Sequence, residues 1–301
     1  MSSAFPALRI GINPISWSND DLLSLGGEVP LATALSEGRA IGYEGFELGN
    51  KFPKDPSALG QVLAEHELAL VSGWYSGELA RRSADKEIAA AQIHLEKLAR
   101  NGATVLVYGE VADSIQGQPV ALARRPRFVR PEVWARYGER VTMFAEHTRS
   151  AYGIRLAYHH HMGAYVQSPQ DVDALMINTG EAVGLLFDSG HCAFGAGEPA
   201  AMLDRHFARV CHVHFKDVRP AVVAMAHNRG WSFLESVLNG AFTVPGDGGI
   251  DFAPLVTRLR DGGYRGWIVV EAEQDPVVAP SYAFAEKGYR TVQQLIADLE
   301  P

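Results

Sequence analysis

The sequence predicts an α/β fold in which eight strand–helix units close into a (β/α)8 barrel, the TIM barrel. Short apolar segments alternate eight times with longer segments of helical period, which indicates parallel strands joined by crossover helices. The length of 301 residues suits one such barrel, so we expect residues 1–301 to form a single domain. An open doubly wound sheet is the alternative. It usually has a glycine-rich turn after its first strand, where this chain has Asn13-Pro14-Ile15-Ser16-Trp17.

Each predicted element has a local pattern that suits its place in the barrel. The strands are rich in Val, Ile, Leu and aromatic residues. Between them, apolar residues recur three and four positions apart, as Ile88, Ala91 and Leu95 do, which indicates amphipathic helices. Many helices are predicted to end at a glycine just before the next strand: Gly42, Gly102, Gly153 and Gly263. The predicted strands are Leu8–Ile12, Glu44–Leu48, Leu68–Ser72, Thr104–Tyr108, Ile154–Tyr158, Val183–Phe187, Val210–Phe215 and Trp267–Glu271.

The composition limits the partners of the chain. There are 27 Lys and Arg against 35 Asp and Glu, and the resulting net charge of −8 repels phosphate backbones, so we expect no nucleic-acid partner. Only Cys192 and Cys211 are present, so no disulfide framework holds the fold. Residues 1–6 lack the pattern of a signal peptide, and no apolar run approaches the roughly 18 residues of a membrane span. We therefore expect no membrane partner and a cytoplasmic location.

Two predicted connections are too long for simple loops between a strand and a helix. Residues 109–130 contain four arginines, and residues 216–250 contain the run Pro245-Gly246-Asp247-Gly248-Gly249. Both follow strands, so both are expected at the C-terminal face of the barrel, where long loops usually form lids or substrate walls. The arginines are equally compatible with a wall of the substrate site and with a surface patch that faces solvent or another subunit. The sequence therefore does not decide whether the chain forms a homo-oligomer.

Polar residues that close neighbouring strands predict a metal site. In a barrel the C-terminal strand ends meet at the active site, and imidazole and carboxylate groups that converge there bind a divalent ion. Asp188 and Glu271 close the strands on either side of the strand that carries His214, and His159 or His161 adds a further ligand. A mixed nitrogen and oxygen set without thiolate fits Mn²⁺, Co²⁺, Mg²⁺ or Zn²⁺, and Mn²⁺ or Co²⁺ suits a site with open positions.

Other polar residues at the same face are candidates for catalysis and substrate binding. Lys216 is placed to contact a substrate oxygen or act as an acid, although a surface lysine is equally compatible with its position. His161 and Glu273 are candidates for proton transfer, and Asp217 for orienting a histidine. Aromatic residues with scattered amides and carboxylates suit a polyhydroxylated ring. The candidates for the pocket wall are Asn13, Trp17, Asn19, Asp20, Glu47, Trp74, Tyr108, Glu110, His191 and Arg219.

The pattern resembles the xylose-isomerase-like barrel superfamily of metal-dependent sugar isomerases, epimerases and dehydratases. The shared motifs are Asp188-x-x-His191, His212-x-His214-x-Lys216-Asp217 and Val270-Glu271. Within the superfamily the chain is similar to the inosose dehydratases of myo-inositol catabolism. The similarity of this chain to these enzymes extends from strand one to beyond strand eight. The stretches that carry it are 14–21, Tyr158-His159-His160-His161-Met162-Gly163, 188–191, 242–248 and Glu271-Ala272-Glu273-Gln274-Asp275-Pro276.

This resemblance implies a hydro-lyase that removes water from 2-keto-myo-inositol (inosose) and gives a trihydroxycyclohexane-1,2-dione. It implies a metal set of His159, Asp188, His214 and Glu271, although the superfamily usually has a glutamate where this chain has His159. It also implies glutathione as a helper thiol. A metal-dependent ketose 3-epimerase or sugar isomerase is the alternative. A metal-dependent endonuclease would need a basic groove, and a non-catalytic sugar-binding barrel would not need four metal-competent strand ends.

Overall fold

The computed structural model of the chain describes residues 8–299, and within them eight parallel strands form a closed barrel. The predicted (β/α)8 architecture is therefore confirmed. The prediction that residues 1–6 carry no signal peptide falls outside the described residues. The strands are β1 (Arg9–Ile12), β2 (Gly45–Leu48), β3 (Ala69–Gly77), β4 (Val105–Glu110), β5 (Arg155–His159), β6 (Val183–Asp188), β7 (Val210–Phe215), β8 (Asp217–Val218), β9 (Phe242–Thr243) and β10 (Trp267–Val270).

The barrel closes where β1 pairs with both β10 and β2. Ile12 lies opposite Val270 on one side and Phe46 on the other, and the order around the barrel is β1-β10-β7-β6-β5-β4-β3-β2. All eight predicted strands are found here, with ends shifted by a few residues. β3 is longer than predicted because its residues from Gly73 to Gly77 continue to pair with β4. The closed barrel brings β6, β7 and β10 side by side, so their polar C-terminal residues meet.

Helices surround the barrel and connect its strands. All four glycines predicted to end helices have positive φ, and Gly153 ends the longest helix in a left-handed conformation that favours glycine. Among the described residues no helix is long and apolar enough to cross a membrane. The helices are α1 (Leu31–Ile41), α2 (Pro56–Glu65), α3 (Ala84–Arg100), α4 (Pro131–Tyr152), α5 (Pro169–Asn178), α6 (Ser189–Phe194), α7 (Pro199–His206), α8 (Pro220–Arg229), α9 (Phe233–Leu238), α10 (Ala253–Asp261) and α11 (Ser281–Ala297).

Apolar side chains fill the space between strands and helices, but the inside of the barrel is partly polar. The main core joins strand and helix residues such as Phe46, Phe144 and Leu259. Inside the barrel a small apolar cluster of Val105, Val107, Ala157 and Leu186 stands beside buried polar side chains. Buried polar groups need partners. Those partners, described below, form the floor of the candidate site.

Residues 216–250 form a small structure of their own over the C-terminal face. The antiparallel pair β8–β9 and helices α8 and α9 enclose a second apolar core that includes Phe233 and Phe242. Asp217 accepts hydrogen bonds from the backbone N–H groups of Val218, Gly246, Gly248 and Ile250, so it holds the glycine-rich loop. The prediction that Asp217 orients a histidine is therefore wrong, because both of its oxygens are used by this loop.

The arginine-rich connection between β4 and α4 is held by one of its own arginines. Arg125 is buried, lies 2.5 Å from the Asp171 carboxylate and donates to the carbonyl oxygens of Ala164 and Tyr165. A buried guanidinium needs such partners. This arginine therefore fixes the loop between β5 and α5 against the preceding connection.

Candidate active site and metal centre

A cavity of about 210 Å³ lies at the C-terminal end of the barrel, where the strand ends meet. A larger concavity of about 670 Å³ lies at the opposite end, but its lining contains a single histidine, His212, and no Asp or Glu. Ligand sites of barrels of this kind lie at the C-terminal face, which agrees with the concentration of acidic and histidine side chains there. The polar lining of this site cavity is Asn13, Asp20, Asp21, Glu47, Ser76, Gln116, His159, His161, His214, Glu271 and Glu273, with Trp74 as its aromatic wall.

Three predicted metal ligands form a buried cluster at the base of the site cavity. His214 Nδ1 lies 2.6 Å from Glu271 Oε2 and 3.6 Å from Asp188 Oδ2. His159 Nε2 adds a contact of 3.3 Å to the same oxygen of Asp188. Adjacent strands carry these residues at their ends, since β5, β6, β7 and β10 are neighbours in the barrel. The structure therefore brings all four predicted ligands together, and of the two strand-five alternatives it brings His159 to Asp188.

The donor set of this cluster fits a divalent cation. His214 Nδ1 is buried and forms no hydrogen bond, although two carboxylate groups lie within 3.6 Å of it. Burial lowers the pKa of His159 to about 3, so its ring is neutral and has a free lone pair. Neutral imidazole nitrogens with carboxylate oxygens are ligands for divalent metal ions. A cation between these groups would use the unpaired nitrogen and compensate the buried negative charge.

Lys216 carries a buried positive charge next to the cluster. Its Nζ lies 2.6 Å from Glu271 Oε1, 3.0 Å from Glu273 Oε2 and 3.6 Å from Asp188 Oδ2. Burial by itself favours the neutral amine, but these three carboxylates raise the lysine pKa above its ordinary value. Gly190 allows this placement, because a Cβ there would lie 2.6 Å from the Lys216 side chain. Lys216 is fully buried behind the carboxylates and does not line the site cavity.

His161 and Glu273 form a second polar group in the wall of the site cavity. His161 Nε2 lies 3.6 Å from Glu273 Oε1, and its Nδ1 lies 2.9 Å from the Met162 carbonyl oxygen. Burial opposes protonation of His161, but Glu273 outweighs it and raises the histidine pKa. His191 packs 4.4 Å from the His161 ring, and its Nε2 lies 2.9 Å from Lys216 Nζ. Burial and the lysine charge lower the pKa of His191, so His191 is a neutral acceptor.

Glu47 lies at the floor of the site cavity with both of its oxygens engaged. Oε1 accepts hydrogen bonds from His212 Nε2 at 2.8 Å, His214 Nε2 at 3.0 Å and Ser72 Oγ at 2.5 Å. Oε2 accepts one from Asn13 Nδ2 at 2.8 Å. Burial favours the protonated acid, but the two histidines outweigh it and hold the pKa of Glu47 well below its ordinary value.

His191 was expected to contact substrate, but it packs against His161 and Lys216 and does not line the site cavity. Three further residues that were expected to contact substrate also point elsewhere. The Trp17 indole packs on Phe46 and donates to Glu37 Oε2 at 2.6 Å. Asn19 Oδ1 accepts from two backbone N–H groups of its own loop. The Arg219 guanidinium lies 2.6 Å from Asp247 Oδ2. None of the three lines the site cavity, because local turns and neighbouring loops already use their polar atoms.

The structure also separates the candidates that follow strands three and four. Trp74 lines the site cavity with its ring edge-on to His159 and His161, and Gly109 leaves room for it because a Cβ there would lie 2.0 Å from the indole. Tyr108 and Glu110, by contrast, lie outside the cavity, where the Tyr108 hydroxyl donates a hydrogen bond to Glu110 Oε2. The different outcomes reflect the face of the strand on which each side chain lies.

Asp21 and Gln116 were not identified from the sequence as site residues. Both line the site cavity, and Gln116 Nε2 donates to Asp21 Oδ1 at 3.1 Å, so the loop after β1 meets the loop after β4 at the rim. Gly163 supports this contact, since its carbonyl oxygen accepts from the N–H of Ile115. The length of the connection at 109–130 was the only sequence signal for Gln116, and it did not single out a residue.

Comparisons with known proteins agree with this architecture and site. The sequence profile of the xylose isomerase-like TIM barrel family matches residues 35–299, and the chain belongs to that family. It is 47% identical over 295 residues to the rhizopine catabolism protein MocC of Rhizobium meliloti. The aligned region covers 97% of this chain and 89% of MocC. It is 40% identical over 284 residues to the inosose dehydratase of Lacticaseibacillus casei. This alignment covers 93% of this chain and 95% of that enzyme.

A solved structure shows the same fold. The crystal structure of the IOLI protein with a bound zinc atom superposes with a TM-score of 0.70 over 97% of this chain and 99% of that protein. The sequence identity is 14%, so the likeness concerns the fold alone.

Proposed function

We propose that this chain is a metal-dependent hydro-lyase that dehydrates 2-keto-myo-inositol to a trihydroxycyclohexane-1,2-dione in myo-inositol catabolism. The observation that carries the reaction type is the pair His161–Glu273 in the cavity wall, beside a cluster that fits a divalent cation. Elimination of water needs a base for the α-proton and an acid for the departing hydroxyl, and two adjacent proton-transfer groups meet that need. The identity of 40% to an inosose dehydratase supports the substrate class.

His159, Asp188, His214 and Glu271 are the proposed ligands of the ion, which we expect to be Mn²⁺ or Co²⁺. A divalent ion held there supplies positive charge that stabilises negative charge developing on the substrate ketone oxygen. Lys216 holds the Glu271 and Glu273 carboxylates in place from behind, and together with His214 its charge keeps Glu271 ionised. This role replaces the expected direct contact of Lys216 with substrate, because the amine does not reach the site cavity.

Glu273 is the proposed base and His161 the proposed acid. The Glu273 carboxylate takes the proton from the carbon next to the ketone, and the electron pair of that C–H bond forms the new carbon–carbon double bond. The bond to the β-hydroxyl breaks as His161 Nε2 delivers a proton to the hydroxyl, which leaves as water. The carbon that lost its proton also carries a hydroxyl, so this product is an enol. Transfer of the enol proton to the carbon that lost the hydroxyl gives the 1,2-dione. Glu273 Oε1 lies 3.6 Å from His161 Nε2, so a small movement of either side chain brings the two within hydrogen-bond distance and returns the captured proton to the histidine.

The remaining polar groups of the site cavity are proposed to bind the ring. Trp74 offers an apolar face, and Asp21 and Gln116 offer acceptors and donors for ring hydroxyls. The same proposal includes glutathione as a helper thiol and a cytoplasmic location. It also includes a homo-oligomer and a single domain over residues 1–301. It includes neither a nucleic acid nor a membrane as partner.

A step in rhizopine catabolism is the second candidate function. It is favoured by the identity of 47% to MocC over 97% of the chain. Both candidates use the same cavity and the same proposed ligand set, so they differ in substrate and not in machinery.

The deciding experiment is incubation of the Mn²⁺-loaded protein with 2-keto-myo-inositol while the absorbance of the conjugated dione is followed. A rhizopine and a panel of ketohexoses serve as competing substrates, and protein stripped with EDTA serves as the control. We expect a metal-dependent rise in absorbance with the inosose. Epimerisation of a ketohexose with no reaction of the inosose would instead identify a ketose 3-epimerase.

A further inference from the structure

Glu47 accepts four side-chain hydrogen bonds at the floor of the site cavity, and none of them comes from a proposed acid or base. The structure places three donors on Oε1 (His212 Nε2, His214 Nε2 and Ser72 Oγ) and one on Oε2 (Asn13 Nδ2). The side chain is 3% exposed. A carboxylate so occupied has little capacity left for a substrate hydroxyl.

The contact with His214 determines which ring nitrogen is free. Because Glu47 Oε1 engages His214 Nε2 at 3.0 Å, Nδ1 is the ring nitrogen left to face the cluster and to offer its lone pair to a cation there. Nδ1 is the atom that lies near the Asp188 and Glu271 oxygens. A carboxylate that binds the far nitrogen of a metal-ligating histidine fixes both its tautomer and the orientation of its ring.

We propose that Glu47 is a positioning residue that holds His214 with Nδ1 facing the metal cluster, in place of the expected contact with substrate. Asn13 extends this arrangement, since the same amide donates to Glu47 at 2.8 Å and to Glu271 at 3.2 Å. One carboxylate at the floor thus orients a histidine ligand and, through Asn13, is connected to a carboxylate ligand. The inference rests on the metal site of the proposed function and not on its substrate.

The test compares Glu47→Gln with Glu110→Gln. Glu110 is an equally buried strand-end carboxylate, 2% exposed, that also accepts several hydrogen bonds, but it lies outside the site cavity. The affinity of each protein for Mn²⁺ is measured by calorimetric titration after removal of metal with EDTA. We expect Glu47→Gln to bind Mn²⁺ about 10–100-fold more weakly than the wild type, and Glu110→Gln to bind it as the wild type does.

A spectroscopic readout separates positioning from general destabilisation. In protein labelled with ¹⁵N-histidine and loaded with diamagnetic Zn²⁺, the wild type should show one His214 form, protonated on Nε2 and coordinated through Nδ1. Glu47→Gln should shift this Nε2–H signal or replace it with several. Ser72→Ala removes one hydrogen bond to Glu47 without removing its charge, so it should weaken Mn²⁺ binding in the same direction by a smaller factor. This variant keeps the test valid if Glu47→Gln does not fold.

Two results would overturn the inference. Unchanged Mn²⁺ affinity in Glu47→Gln with a raised KM would make Glu47 a substrate contact. Two ions per wild-type chain, with one lost in Glu47→Gln, would make Glu47, His212 and His214 a second ligand set. The metal-binding and spectroscopic measurements need no substrate, so failure of the dehydratase assay would leave them unaffected.

Discussion

Lys216 Nζ lies 2.6 Å from Glu271 Oε1, and the other oxygen of the same carboxylate lies 2.6 Å from His214 Nδ1. Glu271 therefore connects a buried cation to the cluster that fits a metal ion. Burial opposes its ionisation, but His214 and Lys216 hold the pKa of Glu271 at about 2. The charges at this site depend on one another, and the first prediction follows from that dependence.

Lys216→Met should destabilise the metal-free protein by about 3–5 kcal/mol, because it leaves buried carboxylates without their cation. A divalent ion compensates part of the same charge, so added Mn²⁺ should stabilise the variant more than it stabilises the wild type. Urea unfolding with EDTA and with Mn²⁺ measures both effects. Equal stability of the variant and the wild type in EDTA would contradict the prediction.

Asp188→Ala and Glu271→Ala should each lower the metal content of the purified protein and abolish activity. Each variant removes one oxygen ligand from the buried set around His214. Elemental analysis after purification without added chelator measures the content, and Glu110→Gln is the matched control for loss of a buried carboxylate. Full occupancy in both variants would show that the ion binds elsewhere.

His161→Gln and Glu273→Gln should each lower the dehydration rate by about 10²–10⁴ while metal stays bound. Exchange of the substrate α-proton with deuterated water separates their roles. We expect exchange to continue in His161→Gln, which lacks the acid, and to stop in Glu273→Gln, which lacks the base. Dehydration near the wild-type rate in both variants would place the proton-transfer groups elsewhere.

Gln116→Ala should raise KM by about 2–10-fold and leave kcat largely unchanged. The variant removes the hydrogen bond that holds Asp21 at the cavity rim, and one such bond contributes about 0.5–1.5 kcal/mol. Gln118→Ala is the matched control, since Gln118 lies on the same loop, is exposed and does not line the site cavity. Steady-state kinetics with the inosose measures both variants. A loss of kcat alone would argue against a binding role.

The contribution of Glu110 to stability should fall as the pH rises from about 5 to about 7. Burial raises the pKa of Glu110 to about 7, although Tyr108, Tyr137 and two backbone N–H groups donate to it. The folded state then binds a proton that the unfolded state has already lost, so each rise in pH through this window favours unfolding, by up to about 3 kcal/mol in total. Buried neutral histidines such as His159 change stability in the opposite direction, so the test is the difference between two proteins. Urea unfolding at several pH values should show the stability of the wild type falling relative to that of Glu110→Gln as the pH rises. An equal slope in both proteins would show that the four donors offset the burial.

The sequence determined the barrel and much of the metal cluster. Alternating strand and helix patterns fix the parallel architecture, and parallel strands deliver their C-terminal residues to one face. The two-residue period of a strand then places His212 with His214 on one face of β7. Asp188, His214 and Glu271 can therefore be grouped from the sequence alone, because adjacency in the barrel follows from chain order.

The tertiary structure decided where each side chain at that face points. Glu47 and His214 are 167 positions apart in the sequence, and their hydrogen bond exists only because the closed barrel brings β2 and β7 across its interior from each other. Trp17 faces Glu37 and Arg219 faces Asp247 because neighbouring helices and loops offer partners that no local pattern shows. Lys216 stays behind the carboxylates because its buried charge is most stable where three of them surround it. Side-chain direction follows from packing and charge compensation between distant segments, and these interactions form only when the chain folds.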